Sequence, residues 1–316
     1  MDVSIVIVNW NTCQITCDCL KSVYRQTGNI SFEVIVLDNA STDGSVDAVK
    51  MRFPQVILIE NNENRGFAAA NNQGIAIAKG RYVLLLNSDT VVLDNAIARI
   101  VSFADNNPDA AVVGCRVLNS DRSLQPTCFM FPSVLNMLLS STYLYKLFPK
   151  SKLFGRERMS WWDRADAREV DVVTGCFMLV RREAIEQVGL MDEQFFMYGE
   201  EADWCYRFKK AGWKVMFTPV GEIIHLGGQS SRQKRTQMIL KLRGSMLLFF
   251  QKYNSKFSYR LACLLICLFF SCRVPYWLGK ALLSKDATNR HLQRAKTYAT
   301  GAFRALHGWR ELCLER

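Results

Sequence analysis

The sequence predicts an α/β fold, a mostly parallel central sheet flanked by helices, with a basic helical extension at its C-terminal end. Three observations carry this. Through the first half, short β-branched apolar runs alternate with segments of helical length, and strands separated by helices imply parallel pairing. The run Tyr82–Leu86 is apolar or aromatic throughout, as a strand covered on both faces would be. The charge is also uneven. Ser231 to Arg316 holds 17 Lys+Arg against 3 Asp+Glu, whereas the residues before it hold 23 against 26. A near-neutral body, 1–230, therefore precedes a strongly basic tail, 231–316.

The elements follow in order. Val3–Val8 is apolar and β-branched, hence a strand; with an acid at position 2 and no basic region, the opening does not read as a signal peptide. Thr12–Gln26 reads as a helix capped by Asn11 or Thr12. Phe32–Leu37 is a second strand, closed by the turn formers of Asp38 to Gly44. Ser45–Arg52 is helical, and Val56–Ile59 is a short strand ended by the polar segment Glu60 to Gly66. Then come a helix over Phe67–Ala78, the strand Tyr82–Leu86, a helix over Asp94–Ala104 and a strand over Ala111–Val117. Ser120–Glu169, rich in Pro, Ser and aromatics, reads as a long connection over one face, in which Trp161-Trp162 either pack, the favoured reading, or stack on a ligand ring. Val170–Val180 returns as one strand, with Arg181-Arg182 a solvated strand end leading into a short helix to Val188. Glu200–Ala211 is a helix whose buried stripe is Trp204, Phe208 and Ala211, and Trp213–Thr218 is a strand. After His225 the pattern is helical, with a boundary near Ser231.

A hydrophobic content of 49% makes a sizeable core affordable and excludes wholesale disorder. The 11 cysteines are scattered with no C-x-x-C pair, which predicts free thiols of a reducing compartment. Cys13, Cys17 and Cys19 have no matching Cys or His cluster, so no zinc site is expected there. The basic tail suits an anionic membrane better than nucleic acid. Its run Arg260–Cys272 has about 12 apolar residues, short of the roughly 20 that span a bilayer. Flanking Lys252, Lys256, Arg260, Arg273 and Tyr276-Trp277 favour a helix lying in the membrane surface, with packing against the body as the alternative.

Several predicted strands end in polar side chains: Asn9, Asp38, Asn64 and Asn87-Ser88-Asp89. One such end is a turn. Several on one sheet edge describe a polar cleft, because ligands of open parallel sheets bind beyond the carboxyl ends of the strands. No G-x-G-x-x-G and no G-x-x-x-x-G-K-[ST] occurs, so the usual phosphate cradles are absent. A divalent cation on Asp89 is the natural substitute, since magnesium is often held by one or two carboxylates plus substrate phosphates. The acids Glu200, Glu201 and Asp203 complement a helix N-terminus. On helical geometry Glu200 and Asp203 share a face, and Glu201 points about 100° away.

The segments SIVIVNWN, VIVLDNASTDGS, NRGFAAANNQG, YVLLLNSDT, FMYGEEADWCYRFKKAGW and IIHLGGQS, in that order over residues 2 to 231, resemble the family 2 inverting glycosyltransferases of the GT-A fold. They look most like the rhamnosyltransferase-like branch. The resemblance implies that Asn9 and Asp38 contact the nucleoside, and that the segment around Asn64, Gly66 and Asn71 lines the nucleotide pocket. Asn87-Ser88-Asp89 stands where the family has its D-x-D metal motif. Asn at its first position leaves Asp89 the sole carboxylate. His225 matches a family histidine that can complete the metal site. Glu200-Glu201 stands where the family carries Glu-Asp, whose second residue is the general base; Glu201 keeps the carboxylate and adds a methylene of reach. Asp203 and then Glu200 are the next candidates, and Asp171 and Gly175 would border the acceptor.

The expected activity is hexosyl transfer with inversion, dependent on Mg or Mn. The donor would be dTDP-rhamnose or a UDP-sugar, and the acceptor a lipid-linked or polysaccharide hydroxyl of cell-envelope glycan synthesis. The enzyme would be cytoplasmic and peripheral on the inner face of the plasma membrane, with no nucleic acid partner. Two alternatives remain at this point. A sugar nucleotidyltransferase would want a Gly-rich basic loop where Asn9-Trp10-Asn11 stands. A non-catalytic membrane- or nucleic-acid-binding protein leaves Asp89, Glu201 and His225 unexplained.

Overall fold

The structure, a computed structural model, describes residues 1–228, 235–283 and 288–313; the boundary expected near Ser231 lies outside the described residues. The chain divides into two compact units. One comprises Met1–Phe131, Arg158–Phe196 and Glu200–Ser230; the other comprises Pro132–Glu157, Met197–Gly199 and Ser231–Arg316. The long connection expected over Ser120–Glu169 is thus shared between them.

In the first unit β1 (Val3–Asn9), α1 (Cys13–Gln26), β2 (Phe32–Asn39), α2 (Ser45–Arg52), β3 (Ile57–Asn61), α3 (Gly66–Ile77) and β4 (Tyr82–Asn87) alternate as the sequence predicts. The strands pair in parallel in the spatial order β3-β2-β1-β4. Val3, Ile5 and Ile7 of β1 and Leu84 of β4 are fully buried between the helical layers. Each strand runs past its predicted end into the polar residue that closes it, Asn9, Asn39, Asn61 and Asn87, because the ladder bonds continue one or two residues beyond the apolar run.

The sheet then changes direction. After β5 (Thr90–Val92), α4 (Ala96–Asp105) and β6 (Ala110–Leu118) come the short β7 (Cys128–Phe129) and, in the second unit, α5 (Val134–Ser141) and α6 (Leu144–Leu147). Back in the first unit, β8 (Arg168–Glu169), β9 (Val172–Val173), β10 (Phe177–Arg181), α7 (Arg182–Val188), α8 (Glu200–Lys210) and β11 (Lys214–His225) complete it. The order continues β4-β10-β6-β11-β5, with β8 on β11, so the sheet is mixed and β10 enters antiparallel to both neighbours. Beside it β7 and β9 form a two-stranded sheet.

Three local readings differ from the structure. Val170–Val180 is two strands, because Thr174 to Cys176 leave the pairing of β9 before β10 joins β4. The strand expected to stop at Thr218 continues to His225 through a bulge between Phe217 and Glu222, which absorbs Pro219 and its missing N–H. Arg181 and Arg182 are not merely solvated. Arg181 donates to the carbonyls of Ala104, Asn107 and Ala110, and Arg182 to those of Ala78 and Gly80, so each ties the strand end to the turns beside it. Trp162 packs edge-on against Phe217, as expected.

The described residues of the second unit also include α9 (Arg235–Tyr253), α10 (Lys256–Ser271), α11 (Val274–Leu283), α12 (Thr288–His307) and α13 (Trp309–Cys313). They have a core of their own, with Leu240, Leu247, Phe250, Ile266, Phe270, Ala305 and Leu312 buried together and Met137 of α5 among them. The tail's apolar run extends further than the sequence suggested. Lys256–Leu283 forms a helical stretch of 28 residues, with mean hydropathy 1.9 in its most apolar window, long and apolar enough by length and composition to cross a membrane. Only 28% of that window is buried, so most of it faces outward.

Candidate active site

The carboxyl ends of the parallel strands gather the predicted residues, and the register does the gathering. Asn9 stands opposite Asp38 in the β1–β2 ladder. Its Nδ2 donates to Asp38 Oδ1 at 2.7 Å and to Ser41 Oγ at 3.1 Å, while its Oδ1 accepts from the hydroxyls of Thr12 and Thr16, both at 2.7 Å. Asn9 is 1% exposed and its amide is fully used, so it orients Asp38 from within the fold. Asp38 Oδ2 accepts from the Ser41 backbone N–H at 2.8 Å. The Asp38 carboxyl group is thus held in one orientation at the strand end. Thr16 and Ser41 were not singled out in the sequence, and Thr12 only as a helix cap, a bond its hydroxyl does not make, because hydroxyls near a turn carry no signal by themselves.

The next strand end is built from amides. Asn64 Oδ1 accepts from the Gly66 N–H at 3.0 Å, and Asn39 Nδ2 donates to the Gly66 carbonyl at 3.2 Å. Gly66 sits at φ +82°, where a Cβ would lie 2.4 Å from the Phe196 carbonyl oxygen, so only glycine fits this tight entry into α3. Asn71, one turn further, is buried and donates to the Phe67 carbonyl at 2.9 Å.

At the end of β4, Asn87 leads into the turn Ser88-Asp89 and straight on to β5. β5 pairs antiparallel with the end of β11, Thr90 opposite His225, and the Leu226 N–H donates to the Asp89 carbonyl at 2.9 Å. This pairing brings together residues far apart in sequence. His225 Nε2 lies 3.1 Å from Asp89 Oδ1 and 3.2 Å from Asn87 Nδ2. Ser88 is buried, 3.3 Å from the Thr12 hydroxyl.

Gln125, which no sequence motif singles out, decides what His225 can do. Gln125 Nε2 lies 3.2 Å from the His225 carbonyl, which can only accept, so the amide nitrogen must face that way. Gln125 Oε1 therefore faces His225 Nδ1, at 2.6 Å, and Nδ1 must carry the proton. In the neutral ring Nε2 then offers a lone pair, turned toward Asp89. Two donors cis on one cation at roughly 2.1 Å would stand about 3.0 Å apart, which matches the observed separation. Among the described residues no group of three or more His, Cys, Asp and Glu could hold a metal. The pair Asp89 and His225 fits a hard divalent ion whose other positions go to phosphate oxygens and water.

The remaining acids come from α8. Its first turn holds Glu200, Glu201 and Asp203 and its last turn Arg207, Lys209 and Lys210, both matching the helix dipole. Glu200 and Asp203 are buried, as their shared face requires. Asp203 Oδ2 accepts from Arg207 Nε at 2.8 Å, and Arg207 also donates to the carbonyls of Val188 and Leu190, so this carboxylate anchors α8. Glu201 is half-buried and accepts from the Gly175 N–H at 3.2 Å. Ala211, expected in the stripe, lies exposed past the helix end, and Cys205 is buried instead. Asp171 Oδ2 accepts from the Phe131 N–H at 3.1 Å, and Lys209 pairs with Oδ1 at 3.3 Å.

Gly175 and Asn87 belong to the same ladder end. Phe177 stands opposite Leu86, and the Asn87 N–H donates to the Cys176 carbonyl at 3.1 Å. Cys176 records the consequence. Burial, then the charges of Asp89 and Glu201, push its thiol up to about 12. Both carboxylates thus flank one buried turn.

Comparison with known proteins completes the assignment. Residues 4–189 match the sequence profile of the Glycosyl transferase family 2. The chain belongs to glycosyl transferase family 2. This glycosyltransferase is 29% identical over 205 residues to an N-acetylglucosaminyl-diphospho-decaprenol L-rhamnosyltransferase of Mycobacterium tuberculosis, covering 61% of this chain and 66% of the relative's length. It is 25% identical over 320 residues to a low-salt glycan biosynthesis hexosyltransferase, Agl10, of Haloferax volcanii, covering 97% of this chain and 91% of that protein. Among solved structures the glycosyltransferase resembles the mannosyltransferase PcManGT of Pyrobaculum calidifontis in complex with GDP-Man and Mn2+, with TM-score 0.56, 16% identity and coverage of 96% and 86% of the two chains. It also resembles GalNAc-T7 with UDP, GalNAc and Mn2+, with TM-score 0.53, 18% identity and coverage of 71% and 43%. The fold of this family 2 glycosyltransferase is GT-A, as expected.

Proposed function

We propose that this glycosyltransferase moves a sugar, L-rhamnose the first candidate, from a nucleotide-diphosphate donor to a hydroxyl of a lipid-linked or polysaccharide acceptor in cell-envelope glycan synthesis, with inversion. The observation that carries the reading is the 3.1 Å approach of His225 Nε2 to Asp89 Oδ1 beside a ladder end that also seats Glu201. Asp89 and His225 would hold a magnesium or manganese ion, which when bound offsets the charge gathering on the diphosphate leaving group. The 29% identity to a rhamnosyltransferase supports the donor sugar and the lipid-linked acceptor.

The chain's own residues divide the remaining work. Asp38, oriented by Asn9 and Ser41, receives the nucleoside, with Asn64, Gly66 and Asn71 shaping the adjoining wall and Asn87 and Ser88 the diphosphate end. Glu201 takes the proton of the acceptor hydroxyl as that oxygen attacks the anomeric carbon, while the bond from that carbon to the diphosphate oxygen breaks on the opposite face. Glu201 stands first among the three acids because Glu200 and Asp203 are buried and Asp203 is committed to Arg207. The tail, 231–316, brings this catalytic body, 1–230, to the cytoplasmic face of an anionic membrane.

The test is nucleoside diphosphate release from a panel of dTDP-, UDP- and GDP-sugars with membranes and Mg or Mn. Release from one donor, lost with EDTA, in Asp89→Ala and in Glu201→Gln, is expected. Release that survives Asp89→Ala overturns the metal assignment, and no release from any donor overturns the activity.

A further inference from the structure

The second unit carries a groove that the transfer reaction does not use. It lies between α10 and the end of α12 and encloses about 610 Å³. Lys256, Arg260 and His307 stand in its lining with Leu264 and Leu306, and no lining residue is acidic. Lys256 and Arg260 are exposed and, among the described residues, make no ion pair.

The arrangement is directional. Lys256, Arg260, Leu264 and Leu268 are spaced four apart on α10, so they form one stripe along the helix. The stripe begins with two cations one turn apart and continues with two leucines that are 48% and 50% exposed. Across the groove α12 repeats the mixture, with Leu306 exposed next to His307. His307 Nδ1 donates to the Phe303 carbonyl at 3.0 Å, which holds the ring in place beside Leu306. The floor is closed by Tyr259. Gly308, at φ +107°, permits this, since a Cβ there would lie 2.6 Å from the Tyr259 hydroxyl oxygen.

We infer that this groove binds the phosphate head of an anionic membrane lipid, with the first part of its acyl chain along Leu264 and Leu268. Cations crowded at one end suit a single phosphate. A nucleic acid would need them repeated along the track, and a free phosphate would have no use for the leucines. The inference deepens the membrane-side reading of the tail and rests on it.

The test is co-sedimentation of the full chain with vesicles of phosphatidylcholine, alone or with phosphatidylglycerol added. Each cation near an anionic surface is worth roughly fivefold in binding. The variant Lys256→Glu/Arg260→Glu is therefore expected to lose tenfold or more on the anionic vesicles. The control Lys21→Glu/Arg99→Glu makes the same change in net charge outside the groove and is expected to lose less than twofold. Leu264→Ser/Leu306→Ser is expected to weaken vesicle binding with both pairs of cations intact. Equal losses in groove and control variants would reduce the effect to general charge and overturn the site. So would unchanged binding in Lys256→Glu/Arg260→Glu, or displacement of the protein from vesicles by millimolar inorganic phosphate or by single-stranded RNA. Vesicle binding is read without donor, so a failure of the catalytic reading leaves the groove test standing.

Discussion

His225 has one nitrogen spoken for. Because the amide of Gln125 fixes the proton on Nδ1, Gln125→Leu removes the acceptor while leaving Asp89 and His225 in place. Partners of this kind typically contribute 10- to 100-fold in metal affinity, so Mn2+ titration by calorimetry should show a loss of roughly that size at near-wild-type melting temperature. The chain has 3 histidines, so nitrogen NMR can read the tautomer of His225 directly and should find the Nδ1–H form in the wild type alone. The acids of α8 separate in the same way. Glu201→Gln should lower turnover by about 10²- to 10⁴-fold with donor affinity unchanged, as loss of a general base does. Asp203→Asn should instead act on stability, by about 3 kcal/mol in chemical denaturation, because it strips Arg207 of its buried partner. Asp89, His225 and the three acids were legible in the sequence because a family pattern spans them. Gln125 was not: it lies 100 residues from His225, in an irregular connection, and nothing local distinguishes it from a surface glutamine.

Elements were legible where one period dominated. The β-branched runs of β1 and β2 and the length of α1 and α2 needed only local preference, and the structure departs from them by a residue or two. The reading failed where tertiary pairing overrode the local pattern. Val170–Val180 looks like one strand, yet two different sheets compete for its halves. β5 is three residues long and exists because the end of β11 pairs with it. Entry into α3 shows the same dependence. Gly66→Ala would force a Cβ against the Phe196 carbonyl and a left-handed backbone on alanine. A loss of about 2–4 kcal/mol is expected in denaturant unfolding, together with weaker donor binding.

Across the molecule, the 11 cysteines are all free, as the sequence predicted. Burial raises Cys19 to about 11 and Cys128, Cys176 and Cys205 to about 12, above the ordinary 9.0. The folded state thus favours neutral thiols. Their contribution is complete below pH 9 and falls as pH rises from there toward 12, because the unfolded chain ionises first. Each thiol should cost about 1.4 kcal/mol per pH unit between 9.0 and its own folded value, about 11 for Cys19 and about 12 for the other three. Melting temperatures measured from pH 7 to 10 should hold to about pH 9 and then drop, and Ellman's reagent should label exposed Cys272 at pH 8 while these four stay unreactive. The charge split between body and tail was also plain in the sequence, whereas the share of Pro132–Glu157 in the second unit was not, since packing partners there lie far along the chain. The antiparallel entry of β10 bears on how such a molecule fails. Five residue pairs join it to β4, two join it to β6, and the ladder end that seats Glu201 also borders Asn87. Fraying of those few rungs at their open end would part Glu201 from Asp89 and His225 while every helix stayed wound. Gentle heating should therefore silence the enzyme several degrees before its circular dichroism changes, and cooling should restore it.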